Sequence, residues 1–318
     1  MKKRVIIIDA LNAYLRSYIV NPSLSTNGDP IGGLKGFLGS LQKVCRDMKP
    51  DHVAIIWDGP GGSQKRKAVN KNYKEGRKPI RLNRSVKLLS EEDETKNKIW
   101  QQTRLFEYLN HMPVSQIMIE GIEADDIIAQ VCNIMHGCEK VIISSDKDFF
   151  QCCDKETVLY RPIQDKVLNK KIITEQFGIT PNNFAMARAI VGDKSDNLVG
   201  VPGVGLKTVA RRLPFFREKV GVCFNKLYNY CEEIDSKVKI YKNILKNKTL
   251  IETNYKLMQL YAPGISPQNK EKIRAAIFDM EPEFNKTGIL KMMSEDGFGV
   301  YDWNDLFSMF RKIVVDNK

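Results

Sequence analysis

The sequence predicts an α/β fold with a mainly parallel sheet flanked by helices, followed by a C-terminal helical region. Two observations carry this prediction: short β-branched runs alternate with helical patterns in the first half, and after about Ile172 only helical patterns continue. In addition, a glycine-rich turn between helical patterns predicts a helix–hairpin–helix in the second half. Alternation of strands and helices is typical of parallel sheets, because parallel strands need a long crossover between them.

The first half contains four apolar runs that predict buried strands, with amphipathic patterns between them. The strands are Val5–Ile8, Val53–Trp57, Gln116–Ile119 and Val141–Ser145. The intervening helices are Leu34–Met48, Glu91–Met112 and Asp125–Met135. Later helices are predicted at Thr180–Val191, Leu206–Leu213, Ser236–Asn247, Pro267–Asp279 and Asn304–Val314.

These elements divide the chain into an α/β core over residues 1–170 and a helical region over 171–318. The boundary is placed between Pro162 and Thr174, and both parts are expected to hold one ligand. The core carries a basic excursion at about residues 60–90, and the helix–hairpin–helix lies at about 190–213.

Composition favours a polyanionic partner. The 318 residues carry a formal charge of +12, which points to nucleic acid first and an anionic membrane second. No stretch approaches a membrane span, and Asp9 ends the first apolar run too early for a signal peptide. Seven cysteines without a Cys-x-x-Cys pair, and three scattered histidines, disfavour a zinc site and indicate a reducing cytoplasm, that of the host if the protein is viral.

Ser63–Lys87 is strongly basic and poor in apolar residues. Its only acid is Glu75, and its apolar positions follow no period, so the segment has little to bury. We expect a mobile excursion from the core; the alternative is a solvated basic loop. Its basic residues are Lys65, Arg66, Lys67, Lys71, Lys74, Arg77, Lys78, Arg81, Arg84 and Lys87.

Acidic residues follow the predicted strands. Because the carboxyl ends of parallel strands meet at one edge, these acids should converge there. Each alone could be a turn former or a helix cap, but together they would repel unless cations from Lys and Arg, or metal ions, fill the site. All-oxygen ligands suit Mg²⁺ or Mn²⁺, and two such ions are a standard device for phosphodiester displacement. The acids are Asp9, Asp58, Glu123, Asp125, Asp126, Asp146 and Asp148.

The run from Gly192 to Leu213 joins two further acids to a tight turn. Asp193 and Asp196 precede Val201-Pro-Gly-Val-Gly205, where the backbone can approach a ligand closely. Such turns bind phosphate without reading bases. Positive charge follows at Lys207, Arg211 and Arg212.

These motifs resemble, in the same order, those of the flap endonuclease / 5′-3′ exonuclease family over most of residues 4–213. The resembling runs are Gly-Ile-Glu123-Ala-Asp125-Asp126, Ser-Ser-Asp146-Lys-Asp148-Phe, Gly-Asp193-Lys-Ser-Asp196-Asn with its glycine turn, and Asn72-Tyr73-Lys74-Glu-Gly-Arg77, which is similar to the family's helical arch. The helical tail, at Tyr255–Gly264 and Ile273–Phe278, resembles that of the bacteriophage RNase H nucleases. No polymerase domain follows, so a free-standing enzyme is expected.

The resemblance implies site roles. Asp9, Asp58, Glu123 and Asp125 would hold a first Mg²⁺; Asp125, Asp146, Asp148 and Asp193 a second; Asp126 and Asp196 would act through water. Catalytic roles fall to Lys74, Arg77, Asp125 and Asp146. Expected DNA contacts are Arg66, Tyr73, Lys74, Arg77, Gly203, Gly205, Lys207 and Arg211. A K⁺ ion at the hairpin is also implied.

The predicted function is a structure-specific 5′ nuclease that removes 5′ flaps or RNA primers at duplex DNA junctions in replication or repair, with an RNase H-like activity also in keeping. A monomer is expected, with a single-strand-binding protein or sliding clamp as further partner. Two alternatives remain: a single-strand ribonuclease of the same core, which would not need the hairpin, and a non-catalytic junction-binding protein, which would not need the acids. The Pro79–Arg84 exit of the arch is more basic than is usual in the family.

Overall fold

A six-stranded sheet forms the centre of the protein. The computed structural model describes residues 2–76, 89–234 and 238–316. The strands are β1 (Arg4–Asp9), β2 (His52–Trp57), β3 (Ser115–Met118), β4 (Glu139–Ile143), β5 (Thr157–Arg161) and β6 (Lys166–Leu168), in the order β3-β2-β1-β4-β5-β6. Strands β1 to β5 are parallel and β6 is antiparallel. The predicted fold class and four strands are confirmed, whereas β5 and β6 were not predicted.

Helices connect the parallel strands and cover both faces of the sheet. They are α1 (Ala10–Val20), α2 (Gly32–Met48), α3 (Gln64–Val69), α4 (Glu91–Asn110) and α5 (Ala124–Ile134). In α2, Leu34, Leu38 and Leu41 share one buried face, the spacing expected of an amphipathic helix. Helix α4 is capped by Ser90, whose hydroxyl accepts the backbone N–H of Asp93 at 3.1 Å. Helix α1 was not predicted.

The second half is helical, as predicted. Its helices are α6 (Lys170–Phe177), α7 (Pro181–Val191), α8 (Leu206–Arg212), α9 (Phe224–Glu233), α10 (Lys239–Lys246), α11 (Lys248–Met258), α12 (Pro267–Phe278), α13 (Lys286–Glu295) and α14 (Asn304–Asp316). Four predicted helices match α7, α8, α12 and α14 within two residues. The prediction for α10 began at Ser236, outside the described residues, and α6, α9, α11 and α13 were missed.

Two hydrophobic clusters lie on opposite faces of the sheet. Alternate residues of β1 point to opposite sides, so Val5 and Ile7 join one cluster while Ile6 and Ile8 join the other. Helices α5, α7 and α9 to α12 contribute to the first, and α1, α2, α4, α13 and α14 to the second. Both clusters draw residues from either side of position 170, and the division into two domains there stays a prediction.

The first part of the basic segment is folded, unlike the mobile excursion that we predicted for it. Residues 64–69 form α3, and a turn runs to Gly76. Two amphipathic side chains anchor it: Arg66 is buried, and Tyr73 packs with Leu257 and Met258 of α11. Residues 77–88, including Arg77, lie outside the described residues. Among those that are described, no helix is long and apolar enough to span a membrane.

Candidate active site

The predicted acids meet at the carboxyl edge of the sheet. Asp9 ends β1, Asp58 follows β2, and Asp146 follows β4. Together with Asp125 and Lys74 they line one open cavity of about 400 Å³. The convergence expected from strand order alone is therefore present in the folded chain.

Asp9 and Asp58 are held by the ends of neighbouring elements. Asp9 caps α1, accepting the N–H of Asn12 at 3.3 Å, and it also accepts the hydroxyl of Ser144 at 2.8 Å. Asp58 accepts the N–H of Ala124 at 2.8 Å, at the start of α5. These bonds fix both carboxylates in place while leaving oxygen lone pairs for a further ligand.

At the start of α5 the acids surround Arg66. Its guanidinium pairs with Glu123 and bonds Asp125 and Asp126, each at 3.0 Å, while its Nε donates to the Leu257 carbonyl at 3.0 Å. Arg66 has a raised pKa: burial opposes its charge, but Asp125 and Asp126 more than compensate, so it remains protonated. A cation of the chain thus neutralises part of this group.

A second group of acids comes from two segments, the turn after β4 and the loop after α7. Oxygens of Asp148, Asp193 and Asp196 lie within 4.8 Å of one another, close enough to bind one metal ion. Arg188 of α7 stands beside them: its Nε donates to Asp148 at 3.1 Å and its Nη2 pairs with Asp193. Ser195 donates its N–H and hydroxyl to Asp193 at 2.8 and 2.7 Å.

Burial and mutual repulsion perturb these carboxyls. Burial, together with the charges of Asp58 and Asp146, raises the pKa of Asp9 to about 7. Burial and the charge of Asp146 likewise raise the pKa of Asp148 to about 7. For Asp193, burial is outweighed by the hydrogen bonds of Ser195 and the charge of Arg188, and its pKa is lowered.

The same forces act on the two remaining perturbed acids. The pKa of Asp126 rises to about 6 through burial and the charge of Asp125. Burial and the charges of Asp125 and Asp196 raise the pKa of Asp146. Carboxyls that share charge in this way need cations to ionise fully at neutral pH, and their all-oxygen donor set fits a hard divalent metal ion.

Two residues expected to contact DNA are buried in this structure. The guanidinium of Arg66 is buried among carboxylates, so it presents no surface to a phosphate. Tyr73 is 2% exposed, with its hydroxyl 3.3 Å from Glu123, so its ring cannot stack on a base in this conformation. Sequence reasoning counted both as part of an unpacked loop, and their contact with DNA stays a prediction. Lys74 does line the cavity, where its Nζ contacts Glu123.

The glycine hairpin, Val201–Gly205, presents backbone at the surface. Gly203 has a φ of +77°, which favours glycine, and a Cβ added at Gly203 or Gly205 would meet nothing within 4 Å. Helix α8 begins after Gly205, and its residues Lys207 and Arg211 are exposed. The predicted hairpin residues therefore form one open, basic surface.

Sequence reasoning missed Arg188 and Ser144. Arg188 lies five residues before Asp193 in an otherwise apolar run, Phe184–Val191. A lone charged residue within a buried helix needs a partner, and that signal could have indicated it. Ser144 follows β4 directly, and only the parallel pairing of β4 with β1 brings it to Asp9.

Comparison with known proteins places this site in a class. Residues 4–178, over half of the chain, match the family model for the 5′-3′ exonuclease, N-terminal resolvase-like domain. The chain belongs to this family. It is therefore a nuclease of the 5′-3′ exonuclease / flap endonuclease kind, as its motifs predicted.

Relatives and a solved structure agree with that assignment. The 5′-3′ exonuclease of Aquifex aeolicus is 28% identical over 297 residues, covering 92% of this chain and 93% of the relative. That of Buchnera aphidicola is 30% identical over 260 residues, covering 80% and 82%. The bacteriophage T5 flap endonuclease, solved with DNA and metal ions, shares the fold, with a TM-score of 0.64 and 17% identity over 92% of this chain and 98% of that one.

Proposed function

We propose that this nuclease hydrolyses phosphodiesters near the 5′ end of a strand at duplex DNA junctions, removing 5′ flaps or RNA primers during replication or repair. The observation that carries the proposal is the acid-lined cavity, with Lys74 in its wall and an open basic hairpin in the same chain. Acids beside a phosphate backbone hinder binding unless metal ions neutralise them.

Two Mg²⁺ ions are the proposed cofactors, with Mn²⁺ as a substitute. Asp9, Asp58, Glu123 and Asp125 would hold one, and Asp125, Asp146, Asp148 and Asp193 the other, with Asp126 and Asp196 acting through water. When bound, such a pair supplies an activated water and offsets charge on the scissile phosphate. Arg66 and Arg188 would pair with these carboxylates both with and without metal. In the metal-free protein, their charges would offset part of the repulsion between the acids.

The chain's own side chains would do the remaining work. Lys74, with Arg77, would offset the charge that grows on the phosphate in the transition state. Asp125, which belongs to both proposed ligand sets, and Asp146 of the second set would carry the catalytic roles among the acids.

Binding of the duplex is assigned to the hairpin. Gly203 and Gly205 would let backbone N–H groups approach a phosphate, and Lys207 and Arg211 would add charge. A K⁺ ion held by hairpin carbonyls would extend this contact. A monomer, assisted by a single-strand-binding protein or a sliding clamp, would suffice.

The test is cleavage of end-labelled flap, nicked-duplex and RNA-primer substrates, with Mg²⁺ and with EDTA. We expect metal-dependent release of short 5′ products from the junction substrates. Cleavage of single-stranded RNA alone would favour the single-strand ribonuclease, and junction binding without any cleavage would favour the binding protein. Full activity in EDTA would contradict both the metal and the mechanism.

A further inference from the structure

One loop carries two of the acids and also touches the basic segment. The loop Asp193–Leu198 is closed by two backbone bonds: the N–H of Asp193 donates to the Leu198 carbonyl at 2.8 Å, and the reverse bond is 2.7 Å. Asn197 lies at the turn of this loop, and its side-chain amide bonds outside the loop. That amide donates to the carbonyl of Asn72 at 3.0 Å.

A second bond runs beside the first. The backbone N–H of Lys74 donates to the carbonyl of Asp196 at 2.9 Å. The buried side chain of Tyr73 shares a hydrophobic cluster with Leu198. The Asn72–Lys74 turn is thus joined to the acidic loop at three successive residues.

The backbone at this junction is held in an uncommon conformation on both sides. Lys74 has a φ of +57° and Asn197 a φ of +58°, two of only four non-glycine residues with positive φ in the part of the chain that the structure describes. Such conformations persist where surrounding contacts impose them, and they concentrate at functional sites. Asparagine suits its position, because it tolerates the left-handed region and its amide supplies the donor.

We infer that Asn197 is a positioning residue, whose amide fastens the Asn72–Lys74 turn to the loop of Asp193 and Asp196 and so sets where Lys74 meets the scissile phosphate. The part that concerns cleavage rests on the proposed function. The fastening itself concerns the protein alone and can be tested without substrate.

The variant Asn197→Gly isolates the amide, because glycine keeps the positive φ and loses only the side chain. Asn182→Ala is the matched control: it removes another exposed amide, which donates to the Lys219 carbonyl at 2.9 Å, far along α7 from the acids. The first measurement is hydrogen exchange of residues 71–76 in the full-length, substrate-free protein. We expect exchange there to rise roughly fivefold in Asn197→Gly, as for the loss of one hydrogen bond, and to stay unchanged in the control.

The second measurement separates positioning from stability. In single-turnover cleavage of a flap substrate, Asn197→Gly should lower the bound-state rate roughly fivefold, while junction affinity and melting temperature stay near those of Asn182→Ala. If Asn197 acts through Lys74, the loss should disappear when both proteins also carry Lys74→Ala, because the two effects are then not additive.

Three outcomes would overturn the inference: unchanged exchange in residues 71–76, a rate loss that persists in full beside Lys74→Ala, or a loss of affinity and melting temperature equal to the loss of rate. Absence of cleavage by the unaltered enzyme would instead contradict the proposed function, and the exchange experiment would still decide whether Asn197 fastens the turn.

Discussion

The acid-lined cavity and the glycine hairpin are proposed to meet the same DNA, yet they are built in opposite ways. In the cavity, side chains carry the chemistry: buried carboxylates crowd together, and Arg66 and Arg188 are drawn in to balance them. At the hairpin the backbone is bare, and space around Gly203 and Gly205 is open. The cavity attracts cations, whereas the hairpin attracts anions. DNA, a polyanion, can therefore bind both regions only if metal ions neutralise the carboxylates of the cavity.

The largest expected effect comes from replacing one carboxylate of the cavity, Asp146. Asp146→Asn should lower the cleavage rate by at least about a thousandfold, about 4 kcal/mol, because a carboxylate of the second proposed metal position is lost and the metal would be misplaced. Junction affinity should hold or rise, since a negative charge beside phosphate is removed. Single-turnover assays with anisotropy titrations check this, with Asp47→Asn, an exposed acid of α2, as control. Equal loss in both variants would contradict the assignment.

Removal of one arginine from each region should separate their roles in stability. Arg66→Met should lower the free energy of unfolding by about 3 kcal/mol, because it leaves three carboxylates beside an uncharged side chain. Arg211→Met, on the exposed side of the hairpin helix, should change it by under about 0.5 kcal/mol and act on DNA affinity instead. Urea unfolding in EDTA measures the first effect. Similar losses of stability in the two variants would contradict the idea that Arg66 stabilises the fold by neutralising the buried carboxylates.

pH should also distinguish the two regions. The pKa values of Asp9 and Asp148, about 7 in the folded protein, lie above the ordinary value of 3.8. A folded-state pKa that is raised gives stability that is present in full below about pH 4 and lost as pH rises through about 7. Asp193 has a lowered pKa, so its contribution to stability has the opposite pH dependence: it is present at higher pH and is lost as pH falls.

In EDTA, the free energy of unfolding should therefore fall as pH rises from about 5 to 8, and Mg²⁺ should restore it at the upper end. Affinity of the hairpin for duplex DNA should not follow that curve, because Lys and Arg stay charged throughout. A stability that rises with pH in EDTA would show that the buried acids are already neutralised.

The smallest expected effect comes from adding a side chain to the exposed backbone of the hairpin. Gly205→Val should weaken duplex binding by about tenfold, about 1.4 kcal/mol, because the side chain would hold phosphate away from the turn. A Cβ there meets no atom of the protein within 4 Å, so the melting temperature should not change. Gly221→Val, equally open and outside the hairpin, is the control. Unchanged affinity for a flap substrate would make the hairpin a structural turn only.

Much of this arrangement followed from sequence because strand order alone brings acids together. Asp9, Asp58 and Asp146 each follow an apolar strand, and parallel strands end on one edge. The hairpin was equally visible, since Gly203 occupies a turn that few other residues can adopt.

The sequence did not indicate which basic residues would pair with the buried acids. Arg66 looked like one of ten cations in a loop, and only the packing of α11 against α3 takes it into the interior. Strand β6 is three residues long and largely exposed, so it has no apolar pattern to detect. Helix α1 starts on Asp9 itself, without the turn residues that usually separate strand from helix.

The packing of the C-terminal helices bears on how this protein is made. Ile6 and Ile8 of β1 share a hydrophobic cluster with Leu306 and Phe310 of α14, about 300 residues later in synthesis. A ribosome adding about ten residues each second would leave this cluster without the side chains of α14 for about half a minute. Over that interval the nascent chain exposes the part of the cluster that the C-terminal helices cover, which makes it a natural client for chaperones and a poor candidate for production as an isolated N-terminal half.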